Sequence, residues 1–159
     1  MKTSAEILRN PVHLLAFGLG SGLSPKAPGT AGTSVAVGLY LLLPVMHWSL
    51  YLSFLLLTFA IGVWLCGKTS RDLEVKDPGG IVWDEFVGYW ITMFMAPAGW
   101  TWIIAGFVLF RILDIFKPWP IKWADSSIKG GLGIMLDDVI AGIMAALCLQ
   151  AAALLLVSS

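Results

Sequence analysis

The sequence predicts an all-α protein: an integral membrane bundle of about five short transmembrane or re-entrant helices, with an N-terminal interfacial helix and a glycine-rich loop before them. Charge distribution is the first reason. The ten basic and ten acidic side chains all fall in three windows, residues 2–26, 68–85 and 111–138, and the uncharged stretches between and after them run 41, 25 and 21 residues. A bilayer imposes such segregation, because a charge at mid-membrane costs about 2.5–3.5 kcal/mol on even the mildest scales. Composition is the second. Apolar residues reach 58% and charged residues only 13%, against roughly 45–50% and about 25% in soluble domains, and mean hydropathy is +0.84. With no linker or internal repeat, the 159 residues read as one domain, 1–159.

Taken in chain order, Glu6 and Arg9 interrupt any secretory core, so the N-terminus is expected to be retained. Thr3 and Glu6 have capping-box spacing and would open a short interfacial helix ending at Asn10 and Pro11. The glycine-rich loop, residues 20–33, comes next. The uncharged residues 27–67 are too many for one span at about 1.5 Å per residue and suit two helices, near 33–46 and 50–66, turning at 44–49. Residues 86–110 fit either one span or a hairpin turning at 96–100. Cytoplasmic loops carry the excess of Lys and Arg. With a cytoplasmic N-terminus the hairpin puts all ten basic residues inside, whereas the single span splits them six to four. The hairpin is therefore expected, and a last span, 136–157, carries Ser158 and Ser159 to the far side. Trp48, Trp100 and Trp102 at the outer turns, and Trp83, Trp119 and Trp123 at the inner ones, read as interfacial anchors. Cys66 and Cys148 lie in apolar runs and read as small core or lipid-facing residues, not metal ligands or a disulfide. Zero net charge argues against a nucleic-acid partner.

Acidic groups beside apolar spans are the candidate chemistry. Asp84 and Glu85 open one helix, where the dipole alone would favour them. Arg111, Asp114 and Lys117 recur every three residues and share one stripe, as a plain salt-bridge ladder would, until Pro118 stops the helix. Asp137 and Asp138 fall near the start of the last helix, after a run at 129–133 expected to need unusual backbone freedom. Neighbouring carboxylates repel, and a divalent cation neutralises them most simply. Oxygen donors without His or Cys suit Mg²⁺. His47 falls at an outer turn, and His13 is expected to pack or to meet interfacial phosphate. The loop at 20–33, with Lys26, Gly29 and Thr30, has the composition to wrap a phosphate or to serve as a flexible connection. Cations for phosphate, acids for Mg²⁺ and a shared headgroup level point to phosphoryl chemistry on a lipid.

Four strings, GLGSGLSP at 18–25 with PGT at 28–30, IVWDEFVG at 81–88, FRILDIFKPWPI at 110–121, and GGLGIMLDD at 130–138 with AG at 141–142, cover nearly the whole chain in order. In these motifs the chain resembles the phosphatidylglycerophosphatase A family of bacteria. The resemblance implies a Mg²⁺-dependent lipid phosphatase, multi-pass in the bacterial cytoplasmic (inner) membrane, that converts phosphatidylglycerophosphate to phosphatidylglycerol and inorganic phosphate with its site facing the cytoplasm. The expected catalytic residues are Asp84, Glu85, Asp114 and Asp138. Metal ligands would be Asp84, Glu85, Asp114, Asp137 and Asp138, and phosphate would meet Lys26, Gly29, Thr30, Arg111 and Lys117. Two rivals remain at this point. One is a phosphatase of another lipid phosphomonoester such as phosphatidic acid, and the other is a small ion-coupled transporter, since intramembrane carboxylates also mark ion paths.

Overall fold

The computed structural model describes residues 4–157, in which every regular element is a helix. In order these are α1 (Ser4–Arg9), α2 (Pro11–Ala16), a 3-10 segment (Gly18–Leu23), α3 (Pro28–Leu42), α4 (Trp48–Leu73), α5 (Trp83–Thr92), α6 (Trp100–Phe116), α7 (Ile121–Ser127) and α8 (Gly130–Val157). Thr3, half of the expected capping box, and Ser158 and Ser159 lie outside the described residues. Asn10 ends α1 and begins α2: its side-chain oxygen accepts the Val12 N–H at 3.0 Å, and Pro11 takes the first helical position. Two helices are long and apolar enough to cross a membrane, Trp48–Leu73 and Gly130–Leu156.

The shortest of the apolar helices is the centre of the fold. In α5 the residues Phe86, Val87, Gly88, Tyr89, Trp90 and Thr92 are all buried, so its apolar character runs round the helix, as a helix packed on all sides requires. Its polar ring atoms tie it to its neighbours. Trp83 Nε1 donates to the Thr58 carbonyl of α4, Trp90 Nε1 to the Ala36 carbonyl of α3, and the Tyr89 hydroxyl to the Ile103 carbonyl of α6, at 3.1, 3.1 and 3.3 Å. Trp83 also stacks on Phe86 with centroids 5.7 Å apart. It is thus a packing residue of the core and not the interfacial anchor expected of it.

The tightest crossing is between α5 and α8. A Cβ on Gly142 would overlap the Gly88 carbonyl oxygen, and one on Gly88 would run into the Phe110 ring of α6 and the Asp138 carbonyl. Gly88, Gly142 and Phe110 therefore form one layer where three helices touch. Asp84 precedes Gly88 by four residues and Asp138 precedes Gly142 by four, while α6 runs the other way and Asp114 follows Phe110 by four. Four residues is one helical turn on the same face, so all three acids sit one turn from that layer, on the same side of it.

The opposite end holds the two uncharged turns. Residues 43–46 and 93–96, with Ala98 and Gly99, together line a cavity of about 430 Å³, so α3 with α4, and α5 with α6, turn at the same end. The expected hairpin is present, with its turn starting three residues before the expected 96. Gln150 of α8 closes that end, its Nε2 donating to the carbonyls of Phe94 and Met95 at 3.1 and 2.7 Å. Four boundaries differ from the sequence expectation, the first being the end of α4, at Leu73 instead of near 66. Helix α3 begins at Pro28, which puts Gly29 and Thr30 in its first turn and out of the loop. Helix α5 has only 10 residues and ends at Thr92, ahead of the expected turn at 96. Helix α8 begins at Gly130 instead of 136, because the glycine run serves close packing: a Cβ on Gly131 would overlap the Val63 carbonyl oxygen of α4. Asp137 and Asp138 consequently lie two turns inside α8. Of the two cysteines, Cys66 is buried and Cys148 exposed.

Gly142→Val is expected to abolish recovery of monodisperse folded protein in detergent, because the added branch displaces α5 from α8. Gly38→Ala, where nothing lies within 4 Å of an added Cβ, should melt at an equal or slightly higher temperature, helix propensity favouring Ala by about 0.8–1 kcal/mol. Comparable melting of the two variants would contradict the crossing.

Candidate functional site

The three acids open into a cavity of about 570 Å³, whose wall also includes Glu85, Lys117 and Asp137. Two groups of carboxylates stand out there: Asp84, Glu85 and Asp138, and then Asp114, Asp137 and Asp138, each with ligand atoms within 4.8 Å of one another. Asp137 and Asp138 are 7% and 3% exposed. Such burial is costly for charge unless each carboxylate is paired, and pairing is only partial. Arg111 lies between α5 and α6, its Nη1 2.5 Å from Asp114 Oδ2 and 3.8 Å from Glu85 Oε1. Lys117 bridges Asp137 Oδ2 at 2.7 Å and Asp125 Oδ1 at 2.9 Å. Glu85 Oε2, Asp137 Oδ1 and Asp138 Oδ2 are buried without a hydrogen-bond partner.

Local sequence explains the placement of Lys117. Pro118 disfavours the α conformation in the residue before it, and Lys117 takes a left-handed geometry, φ 42°, as the last residue capping α6. That reversal accompanies an ammonium pointing at α7 and α8. Burial by itself would lower its pKa, but the hydrogen bonds and charges of Asp137 and Asp125 outweigh it and hold the ammonium above the usual lysine range. Its folded pKa being raised, Lys117 stays protonated, and its contribution to stability is lost only as pH climbs past the ordinary lysine value.

All five expected metal ligands meet in this cavity. Of the expected phosphate contacts, Lys117 lines it, while Lys26, Gly29, Thr30 and Arg111 do not. Lys26 is exposed on the connection before α3. Gly29 lies behind the carboxylates, where an added Cβ would meet Glu85 Oε1 and the Arg111 guanidinium, so its bareness lets α3 approach that pair. Arg111, 12% exposed, holds carboxylates in place. Sequence reasoning passed over Lys76, Asp77, Asp125 and Lys129, which line the mouth. Nothing periodic marks them, although Lys129 stands beside the motif glycine Gly130. The buried His13 pairs with Asp72 of α4, Nε2 to Oδ2 at 3.1 Å, and so packs α2 against α4. His47 caps α4 at the other end.

Arg111→Met should cost about 3–5 kcal/mol, the usual penalty for leaving buried charge unpaired, read as a fall in melting temperature in detergent. Adding Asp114→Asn should restore part of that loss. An additive double mutant would contradict the pairing.

Residues 14–153 match the family model described as phosphatidylglycerophosphatase A. A phosphatidylglycerophosphatase A of Escherichia coli (strain K12) is 51% identical over 140 residues, spanning 87% of this chain and 81% of that protein. One from Haemophilus influenzae is 49% identical over 143 residues, spanning 87% and 86%. A Bacteroides thetaiotaomicron protein provisionally named phosphatidylinositol-3-phosphatase is 43% identical over 139 residues, spanning 82% and 86%. No solved structure matches the chain. With three of its four motifs lining one acidic cavity and the match running through nearly all of its length, this chain belongs to the phosphatidylglycerophosphatase A family.

Proposed function

We propose that this chain hydrolyses the terminal phosphomonoester of phosphatidylglycerophosphate, yielding phosphatidylglycerol and inorganic phosphate at the cytoplasmic face of the bacterial inner membrane. The observation that carries this reading is the convergence of carboxylates from α5, α6 and α8 beside Lys117, in a chain whose family bears that enzyme's name. In this reading α3, α4, α5, α6 and α8 are the membrane-embedded helices of a single domain, and α1, α2 and α7 lie at the inner surface. Support comes from the charge-free turns at 43–47 and 93–99 and from the confinement of all Lys and Arg to the other windows. The same pattern disfavours an ion-coupled transporter, which needs acids at mid-span and access from both sides.

A lipid phosphomonoester fits such a cavity, with its phosphate at headgroup level and its chains along the apolar flanks. Asp84, Glu85, Asp114, Asp137 and Asp138 would hold Mg²⁺: the donors are all oxygen, and the unpartnered Glu85, Asp137 and Asp138 oxygens match a hard cation. When bound, Mg²⁺ supplies positive charge to the phosphate oxygens and a more acidic water. Lys117 donates to a non-bridging phosphate oxygen. Water is the nucleophile: its oxygen bonds to phosphorus as the phosphorus bond to the glycerol oxygen breaks. A carboxylate of the Asp84 and Glu85 pair accepts the water's proton, and the leaving oxygen takes up a proton to become the glycerol hydroxyl. Arg111 and Gly29 act as positioning residues for Glu85 and Asp114, and exposed Lys26 draws the anionic lipid surface.

Phosphate release in detergent micelles tests this reading, with phosphatidylglycerophosphate, phosphatidic acid and phosphatidylinositol 3-phosphate offered separately, in Mg²⁺ and in EDTA. The first lipid should be turned over fastest, and EDTA should stop all release. Asp84→Asn and Asp138→Asn should each lower turnover at least about a hundredfold while expression persists; near-normal turnover by both would refute the site. Gly29→Ala should raise the Mg²⁺ concentration for half-maximal rate by roughly 10-fold or more, as loss of ligand support does, and an unchanged Mg²⁺ requirement would remove Gly29 from its positioning role.

A further inference from the structure

We propose that the carboxylate layer binds two divalent cations, with Asp138 as the ligand shared between them. The inference rests on the phosphatase reading for its purpose and on the arrangement of the side chains for its support. Asp84, Glu85 and Asp138 form one group of mutually close oxygens and Asp114, Asp137 and Asp138 the other, and Asp138 alone belongs to both. A single Mg²⁺ with ligands at about 2.0–2.1 Å gathers oxygens no more than about 4 Å apart. Among the described residues the five acids do not form one set of oxygens within 4.8 Å of one another. They form two that touch at one residue.

Asp138 has the features of a bridging ligand. It is 3% exposed, it lines the cavity, and its Oδ2 has no hydrogen-bond partner among the described residues. Three of the four outlying acids are paired with cations: Arg111 contacts Glu85 on one side and Asp114 on the other, and Lys117 binds Asp137. Among the described residues no cationic side chain forms an ion pair with Asp138, although it belongs to both sets. Charge points the same way. Five carboxylates against Arg111 and Lys117 leave three uncompensated negative charges. One divalent cation leaves the site still negative and repels a phosphate dianion, whereas two make it positive and attract one. Two-metal phosphatase sites place their ions roughly 3.5–4 Å apart, a separation that a single bridging carboxylate spans.

The test is titration of the full-length protein in detergent micelles with Mn²⁺ in place of Mg²⁺, read by equilibrium dialysis and by electron paramagnetic resonance. Two Mn²⁺ per chain with a spin-coupled spectrum are expected. Asp84→Asn and Asp114→Asn should each retain one Mn²⁺ with an uncoupled spectrum, and Asp138→Asn should lose the coupling. One Mn²⁺ per wild-type chain, two uncoupled ions, or a coupled pair surviving in a folded Asp138→Asn protein would each overturn the shared site. Should Asp138→Asn fail to fold, the other two variants decide, since full coupled occupancy in both would equally overturn it. A one-ion protein that still releases phosphate would leave the phosphatase reading standing, and a two-ion protein that releases none from any lipid would sink that reading while supporting the pair.

Discussion

Burial of like charge is the constraint on which the rest of this structure depends. Five carboxylates from three helices are held where water reaches them poorly, and Asp138 is almost entirely covered. Removing an ion from water costs several kcal/mol even after relaxation, so the arrangement stands only where cations meet it. Arg111 and Lys117 meet part of the charge. Oxygens left unpartnered at Glu85, Asp137 and Asp138 are the remainder, and their chemistry matches a hard divalent ion. A fold selected for stability alone gains little from such a cluster, because well-packed apolar residues in its place are often as stable or more so.

Glycine contact is what allows the acids to converge. Where Gly88 and Gly142 let α5 and α8 touch, the next turn on each helix brings its carboxylate to the same point, and Phe110 sets α6 one turn from its own. The price is a short α5 whose turn lies deep against other helices, where unsatisfied backbone carbonyls are costly. Gln150 answers that need by donating to Phe94 and Met95. One end of the bundle is thus closed by a neutral amide, while the other presents the five site carboxylates with Arg111 and Lys117.

Charge spacing made much of this legible in the sequence, because a bilayer leaves few places for Asp or Lys. The hairpin between α5 and α6, the helix stop at Pro118, and the meeting of Asp84, Asp114 and Asp138 could all be argued from where charges stand. Packing was less legible. The glycines from Gly130 to Gly133 look like a helix breaker by propensity, yet close approach to α4 outweighs that preference and the helix runs through them. Trp83 has the composition of an interfacial anchor, but a tryptophan whose N–H finds a buried carbonyl satisfies the same chemistry in a core. Gly29 looked like a phosphate loop residue because its neighbours are small and polar; its importance lies in what a methyl group there would displace. Lys76, Asp77 and Lys129 on connections and Asp125 on the short α7 escaped notice, since they reach the cavity through tertiary folding with no period to betray them.

Anomalous diffraction from crystals soaked in Mn²⁺ tests most directly whether these separated segments build one reaction centre. The account requires anomalous density between the inner ends of α5, α6 and α8, within ligand distance of carboxylates from all three, and its loss in crystals of Asp138→Asn. Density touching the carboxylates of one helix alone, or Asp84, Asp114 and Asp138 found apart with no ion among them, would contradict it.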